Sequence, residues 1–514
     1  MTKKYLAGVD VGTTGARCAI FDLQGNIIAS DYREYGATYP KPGWVEQDLD
    51  DLVNQTMVAC AGAITKAGIP ASEIASVGFS TQRSVTIPVD RDGKAVRPMI
   101  SWQDARTGAE VQDMLGLIDG GEYYATSGMP MGTTWCITKL LWMRKNEPEL
   151  LERTYKVVQN QDAILKAFGA DDYYTDMSDM AFYGVWDVEK VQWSEKLNSL
   201  FGVTPEMFGK PTPPGTQVGV VSPEVAAKTC FEVGTPICVG AGDQNCGVVG
   251  MGSIKGGMVT VTLGTAGLAI LSLDRPIPGF GGMMITNHAM PGMWEMEGLS
   301  NAAASSYRWF RDVVGTQEKE MERANGQSAY EYLNGLAAQA PVGSRGLLYL
   351  PYLGTAATPR WNANARSAFI GMSFAHGRPE MVRAVLEGVV LEVRDMMDGW
   401  LKAGVQIDVL RLGGGATKSD MWNQIQADVY GRPVQTLKVG ESTVLGAALL
   451  GGVGAGVFTS IAEGVDQMVS VTAEVEPNMD NHEIYEEMYQ AYAMAYDGLT
   501  SSGAFDKLAA VQAR

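Results

Sequence analysis

One short unit, a strand, a glycine–threonine loop and a returning strand, opens each half of this chain. In the first copy an apolar run over residues 5–10 ends in Asp10-Val11-Gly12-Thr13-Thr14-Gly15, and a second run covers 16–22. In the second copy a Thr-rich run over 257–263 ends in Gly264-Thr265-Ala266-Gly267, and a strand over 268–273 follows. Short β-branched runs bounded by Gly, Asn and Asp read as strands joined by tight turns. Gly25-Asn26 turns the first copy into a third strand at Ile27, Asp48 caps a helix over 49–67, and 74–80 is the next strand. Three meandering strands, a helix and another strand form an α/β unit. At 514 residues the chain exceeds what one hydrophobic core usually supports. The duplication is therefore expected to mark two similar domains facing across a cleft, 1–252 and 253–514, parted near Gly250, Gly252, Gly256 and Gly257.

The second half continues with a helix over 379–402 and a strand over 409–412 that ends in Gly413-Gly414-Gly415-Ala416. A further helix begins near Ser419 or Asp420, and 444–458, broken by five glycines, reads as a buried helix and a turn.

Charge narrows the function classes. A net charge of -18 opposes sequence-independent binding to phosphate backbones, which needs clustered Lys and Arg, so no nucleic-acid partner is expected. An anionic nucleotide can still bind locally through loop amides and a metal ion. No run of about 18 apolar residues exists, so no membrane span is expected. Six scattered cysteines without a CxxC pair read as free thiols in a reducing cytoplasm. With only three histidines, none close to another in sequence, a histidine-based metal site or a Ser-His-Asp triad is not expected.

Four loops at strand ends are the candidates for chemistry. In the Asp10-to-Thr14 loop, glycine lets amides approach phosphate oxygens, hydroxyls add donors, and a carboxylate suits Mg²⁺ through water. The same loop also reads as a tight hairpin that needs glycine. Gly264 to Gly267 is a turn by itself; its weight comes from repeating the first loop. In Gly240-Ala241-Gly242-Asp243-Gln244, Asp243 fits the base that phosphoryl transfer requires for the acceptor hydroxyl, or else caps a helix. Gly413 to Ala416 offers flat backbone for a nucleoside, or is a connector. No Walker A sequence and no GxGxxG beside the first strand are present.

Together these loops resemble the FGGY family of carbohydrate kinases along nearly the whole chain. The segments that carry the resemblance include DVGTTGAR at the start, TQRS at Thr81 to Ser84, ISWQDAR at Ile100 to Arg106 and TKLLWMRKNEP at Thr138 to Pro148. GAGDQ at Gly240, TLGTAG at Thr262, TPRWNANAR ending at Arg366, LGGGA at Leu412 and GESTVLGAALLGGVGAG continue the series in the family's order. The resemblance implies the duplicated ribonuclease H-like fold shared with actin and chaperone ATPases, with the sugar site and base in the first domain. The second domain would bind nucleotide and end in a helical tail.

It also implies ATP and Mg²⁺, with Asp243 as general base and Asp10 positioning the metal. Gly12, Thr13, Thr14, Gly264 and Thr265 would hold phosphates, and Gly414, Gly415 and Ser419 would border the adenosine. Gln82, Arg83, Trp102, Gln103, Asp104 and Gln244 would face a small sugar or polyol, although Trp102 also reads as core and Asp104 as a partner of Arg106. Dimers are common in the family.

Substrate signals are mixed. Xylulokinases carry Gln-Met-His where Gln82-Arg83-Ser84 stands, and glycerol kinases carry Gln-Arg-Glu. Thr134 replaces the tyrosine of glycerol kinases, and Thr355-Ala356-Ala357 stands where the family carries Gly-Glu-Arg. WNQIQADVYGRPV and GVGAGVFTSIAE resemble autoinducer-2 kinases. The leading expectation is phosphorylation of a xylulose-like ketose or a polyol. The rivals are an autoinducer-2 or glycerol/erythritol-type kinase and, from another class, a non-catalytic sugar or nucleotide sensor.

Overall fold

Local turn chemistry builds the first sheet. In the computed structural model, which describes residues 3–277, 281–438 and 440–513, β1 (Tyr5–Val11), β2 (Gly15–Asp22) and β3 (Ile27–Glu34) form an antiparallel meander. Gly25 at the second turn has φ +74°, a left-handed conformation that glycine adopts without penalty. Helix α1 (Leu49–Ala67) starts where the Asp48 side chain accepts from the Asp51 amide, and ends at Gly68 in the left-handed region. It packs on β2 and β3, burying Leu52, Met57, Cys60 and Ile64. Strand β4 (Ile74–Thr81) pairs parallel with β1. Farther along, β5 (Gln217–Val220) and β6 (Pro236–Gly242) complete the order β5-β6-β4-β1-β2-β3 before helix α2 (Asp243–Gly250).

The second sheet repeats this plan. β7 (Met258–Leu263) and β8 (Gly267–Leu273) form the hairpin, and β9 (Met284–Asn287) and β10 (Trp294–Ser300) extend it, with β10 antiparallel to β8 as β3 is to β2. After the long helix α3 (Arg378–Lys402), β11 (Val409–Gly413) pairs parallel on the far side of β7, as β4 does on β1. Helix α4 (Asp420–Tyr430) leads to β12 (Val434–Leu437), and beyond helix α5 (Ser442–Gly454) the antiparallel β13 (Val471–Val475) closes the edge. The order is β9-β10-β8-β7-β11-β12-β13. These are two actin-like α/β halves, as the duplicated loop implied.

The halves share packing. Helix α5 follows the second sheet's strands in sequence, yet it lies on β1, β4 and β6 of the first sheet and against α2. Its Val444, Leu445, Ala447 and Ala448 join Leu6, Phe21 and Ala241 in one buried cluster. Small residues permit that approach: a Cβ at Gly78 would sit 2.0 Å from the Ala447 carbonyl, and one at Gly446 1.9 Å from that of Cys246. The first sheet ends at Gly242 and the second begins at Met258, and α5 joins their packing. Residues 82–216, inserted between β4 and β5, carry an aromatic core (Tyr123, Trp135, Phe182, Trp186) continuous with that of the second half. The C-terminal helices α6 (Met479–Ser501) and α7 (Ala504–Gln512) dock on the second half through Tyr485, Tyr492, Tyr496 and Phe505.

Among the described residues no helix is long and apolar enough to cross a membrane. All six cysteines are free thiols, five of them buried.

Candidate active site

Parallel pairing brings the first half's candidate loops together. Asp10 lies opposite Ser80, Val11 opposite Thr81, and Thr81 opposite Gly242, so the Gly12–Thr14 loop, the Gln82–Ser84 loop and Asp243 leave the sheet at one end. Ligands in open α/β sheets bind at that carboxyl end. Thr262 lies opposite Gly413 in the second sheet, which places the Gly264 and Gly414 loops side by side. A cavity of about 640 Å³ runs between the halves, lined by Thr13, Arg83, Trp102, Asp243 and Gln244 from the first and by Ala266, Leu268, Met284, Glu297 and Leu299 from the second.

Asp243 is the first residue of α2, where unpaired helical amides favour negative charge. Its Oδ1 accepts from the Gln244 amide at 2.8 Å and lies 3.1 Å from Arg83 Nε. Burial lifts its carboxyl above the ordinary carboxylate range; the Arg83 guanidinium pulls it back, and Glu297 adds to the lift. Glycine at 242 is required by crowding, because a Cβ there would meet Arg83 Cδ at 2.5 Å and Asp179 Oδ1 at 2.6 Å.

Arg83 is held by two acids. Its Nη1 and Nη2 donate to the two oxygens of Glu297 at 2.9 and 3.0 Å, a bidentate pair reaching from one half to the other. The guanidinium also lies over the Phe182 ring, 4.7 Å from its centroid.

Asp10 accepts from Ser80 Oγ at 2.8 Å, and burial, with the nearby Asp243 charge second, raises its carboxyl to about 7. A divalent cation held with phosphates would relieve that cost. The donor set fits Mg²⁺, which binds through one or two carboxylates, substrate phosphates and retained waters rather than an all-protein cage. Among the described residues no cluster of three or more His, Cys, Asp and Glu forms such a cage.

The remaining expected residues divide into three groups. Thr13 and Trp102 meet at the cavity, where the indole N–H donates to Thr13 Oγ1 at 3.0 Å and Trp102 is 40% exposed, so it is not core. Thr14 Oγ1 sits 3.3 Å from the Tyr32 hydroxyl, and the Gly12 carbonyl accepts from the Tyr35 hydroxyl. In the second copy the Gly264 and Thr265 carbonyls accept from the amides of Ala304 and Ala303 at the start of a helix over Ala304–Val313. Gly414 has φ +80°, and a Cβ on Gly415 would meet nothing within 4 Å, which leaves open backbone there. Ser419 caps α4, its Oγ accepting from the Trp422 amide at 3.3 Å.

Three residues expected to face the sugar do not line this cavity. Asp104 is buried away from the cavity, with Oδ2 accepting from the Val45 amide at 2.6 Å and from Arg106 Nη2 at 2.7 Å. Its charge is consumed by Arg106, whose guanidinium stacks 3.7 Å over Trp44. Gln82 is buried and donates to Gln47 Oε1 at 3.1 Å, and Gln103 is exposed beside Trp102 without lining the cavity. Gln82 neighbours the cavity residue Arg83 in sequence, and consecutive side chains diverge.

Sequence reasoning missed Glu297, and with it Glu295. In Trp294-Glu295-Met296-Glu297 the acids alternate with apolar residues, which reads as the wet face of a strand. Both are buried. Glu295 accepts from Asn245 Nδ2 at 2.9 Å, and burial raises its carboxyl to about 8.

Two sheets of one plan, glycine–threonine loops at their facing ends and a carboxylate between them define the actin-like class of sugar kinases. Models of the FGGY family of carbohydrate kinases match the chain: the N-terminal domain over residues 5–250 and the C-terminal domain over 259–455. The chain belongs to the FGGY family of carbohydrate kinases. It is 28% identical to a xylulose kinase of Bacillus subtilis (strain 168), with 96% of this chain and 97% of the relative covered. An autoinducer-2 kinase of Salmonella paratyphi A is 30% identical, with 97% and 96% covered. The crystal structure of a gluconate kinase from Lactobacillus acidophilus superposes with a TM-score of 0.88 at 25% identity, covering 98% of this chain and 99% of that one. The protein is thus a carbohydrate kinase, an ATP- and Mg²⁺-dependent phosphotransferase acting on a sugar or polyol hydroxyl.

Proposed function

We propose that the acceptor is a small ketose or polyol of xylulose-like size and that Asp243 is the general base. The observation that carries this reading is the position of Asp243, on the cavity wall at the carboxyl end of β6 with Arg83 3.1 Å away. Its carboxylate takes the proton of the acceptor hydroxyl. The hydroxyl oxygen bonds to the γ-phosphorus as the bond from that phosphorus to the β,γ-bridging oxygen breaks, and ADP leaves with the electron pair. Arg83 keeps the base ionised and oriented without competing for its proton. The amides and hydroxyls of Gly12, Thr13, Thr14, Gly264 and Thr265 hold the phosphates, and Gly414, Gly415 and the Ser419 turn border the adenosine. Asp10, steadied by Ser80, holds Mg²⁺, which supplies charge neutralisation at the transferring group. Closure of the two halves excludes water that would otherwise take the phosphoryl group.

Buried free thiols support a cytoplasmic setting, and the net charge of -18 counts against nucleic-acid partners. ADP release with Mg²⁺–ATP, measured with and without neutral ketoses and polyols, tests the reading. Release that depends on the acceptor supports it; nucleotide binding with no acceptor-dependent release would instead favour the sensor.

A further inference from the structure

The polar groups around the cavity are mostly committed to the protein itself. Arg83 is the one cation on its wall among the described residues, and all three of its nitrogens face Asp243 or Glu297. The nearest buried amine, Lys139, donates to the carbonyls of Ser84 and Thr134 at 2.9 and 2.7 Å. Ser84 Oγ donates to that same Thr134 carbonyl at 2.7 Å. The three indoles on the wall have each spent their N–H: Trp135 on the Pro130 carbonyl at 2.5 Å, Trp102 on Thr13 Oγ1 at 3.0 Å, and Trp361 on the Gly281 carbonyl at 2.8 Å. They offer only carbon, as do Met131, Phe182, Met284 and Leu299. The hydroxyls of Thr13 and Ser84 each keep one role, as donor and as acceptor, and with Asp243, Gln244 and Thr134 they remain to meet hydroxyls.

We infer that the acceptor is an uncharged ketose or polyol whose non-reacting end is apolar. It is a deoxy or methyl-terminated chain rather than one hydroxylated at every carbon or ending in a carboxylate. The inference rests on the kinase reading above and narrows it. A hydroxyl laid on the Met131–Trp135–Phe182 wall gives up water and gains no partner there. A terminal methyl covers the same surface at no such cost. An aldonate carboxylate would meet Asp243 and Glu297 with the only guanidinium already taken, so like charges oppose it.

The test is a matched set assayed by coupled ADP release: a ketopentose, its 1-deoxy and 5-deoxy forms, and gluconate. Whichever end reacts, one deoxy form keeps the reacting hydroxyl. That form should exceed the parent in kcat/KM by about ten- to hundredfold, the range over which an apolar pocket discriminates against an added hydroxyl. Gluconate should fall below the parent. Met131→Gln, which adds an amide at similar length, should draw the deoxy-to-parent ratio towards one; a ratio within one preparation does not depend on how much of it is folded. The inference is overturned by a parent sugar that outperforms both deoxy forms, by gluconate as the best acceptor, or by a ratio that Met131→Gln leaves unchanged. Tryptophan fluorescence titrations of the same set, read through the indoles on the wall, separate this inference from the kinase reading. If no acceptor turns over, the kinase reading fails, and the binding order alone supports or overturns the apolar-end assignment.

Discussion

At the scale of single residues, the site is governed by how one guanidinium is shared among acids. Arg83 faces Asp243 and Glu297, with the Asp179 charge also close enough to act on it. An opposite charge at this range favours the ionised form of an acid. Removing it leaves burial and Glu297, which raise the Asp243 pKa, opposed only by hydrogen bonds from Gln244. Arg83→Ala should therefore move the acid limb of the acceptor-dependent rate to higher pH. The acceptor KM should rise as well, because the cavity wall loses a side chain stacked on Phe182. An acid limb that stays in place would take Arg83 out of contact with the base. The sequence displayed Arg83 and Asp243 because each ends a strand in a short polar loop. It concealed Glu297, since alternation cannot tell a strand face bathed in water from one buried against a guanidinium. For Asp104 the pairing with Arg106 was legible two residues on, and packing adds that Trp44 and Val45 enclose that pair.

At the scale of elements, the legible parts were those set by local chemistry. The β1–β3 meander, α1 with its Asp48 cap, and the strand ends before the glycine loops all follow from turns and caps within a few residues. The placement of α5 did not. A helix apolar on all sides is plainly buried, but its sequence does not say which sheet buries it. The answer lies in glycines spread across the chain, Gly78 on β4 and Gly446 on α5, whose missing side chains admit the backbone of another element. Gly78→Ala should cost about 1–3 kcal/mol by overpacking, read as a lowered denaturant midpoint with an unchanged slope. A neutral result would mean that α5 moves aside without loss. The insertion over 82–216 was equally opaque, because its aromatic core is completed by residues of the second half.

For the whole molecule, buried acids and net charge push stability the same way. Burial raises Asp10 and Asp176 to about 7, and Glu295 and Glu392 to about 8. A folded-state pKa above the unfolded value gives stability that is present at low pH and lost as pH rises through the folded pKa. His288, held down to about 4 by burial, is neutral in both states above about pH 6.5. Lys139, lowered to about 8, works in the opposite direction, but mainly above that pH. Between pH 6.5 and 8 the acids dominate, and the charge of -18 adds self-repulsion as they ionise. The Tm of the ligand-free protein should fall across that interval, and a rise would contradict the burial of these carboxylates. Mg²⁺–ATP should lessen the fall by engaging Asp10.

Asp243, on the wall of the cavity between the two sheets, is the proposed base of this sugar kinase. The decisive measurement is the acceptor-dependent turnover of Asp243→Asn beside its affinity for Mg²⁺–ATP. Turnover should fall by about two to four orders of magnitude, the usual worth of a general base, while nucleotide affinity stays near that of the parent. Turnover close to the parent's at intact affinity would contradict the assignment and move the base elsewhere in the cleft.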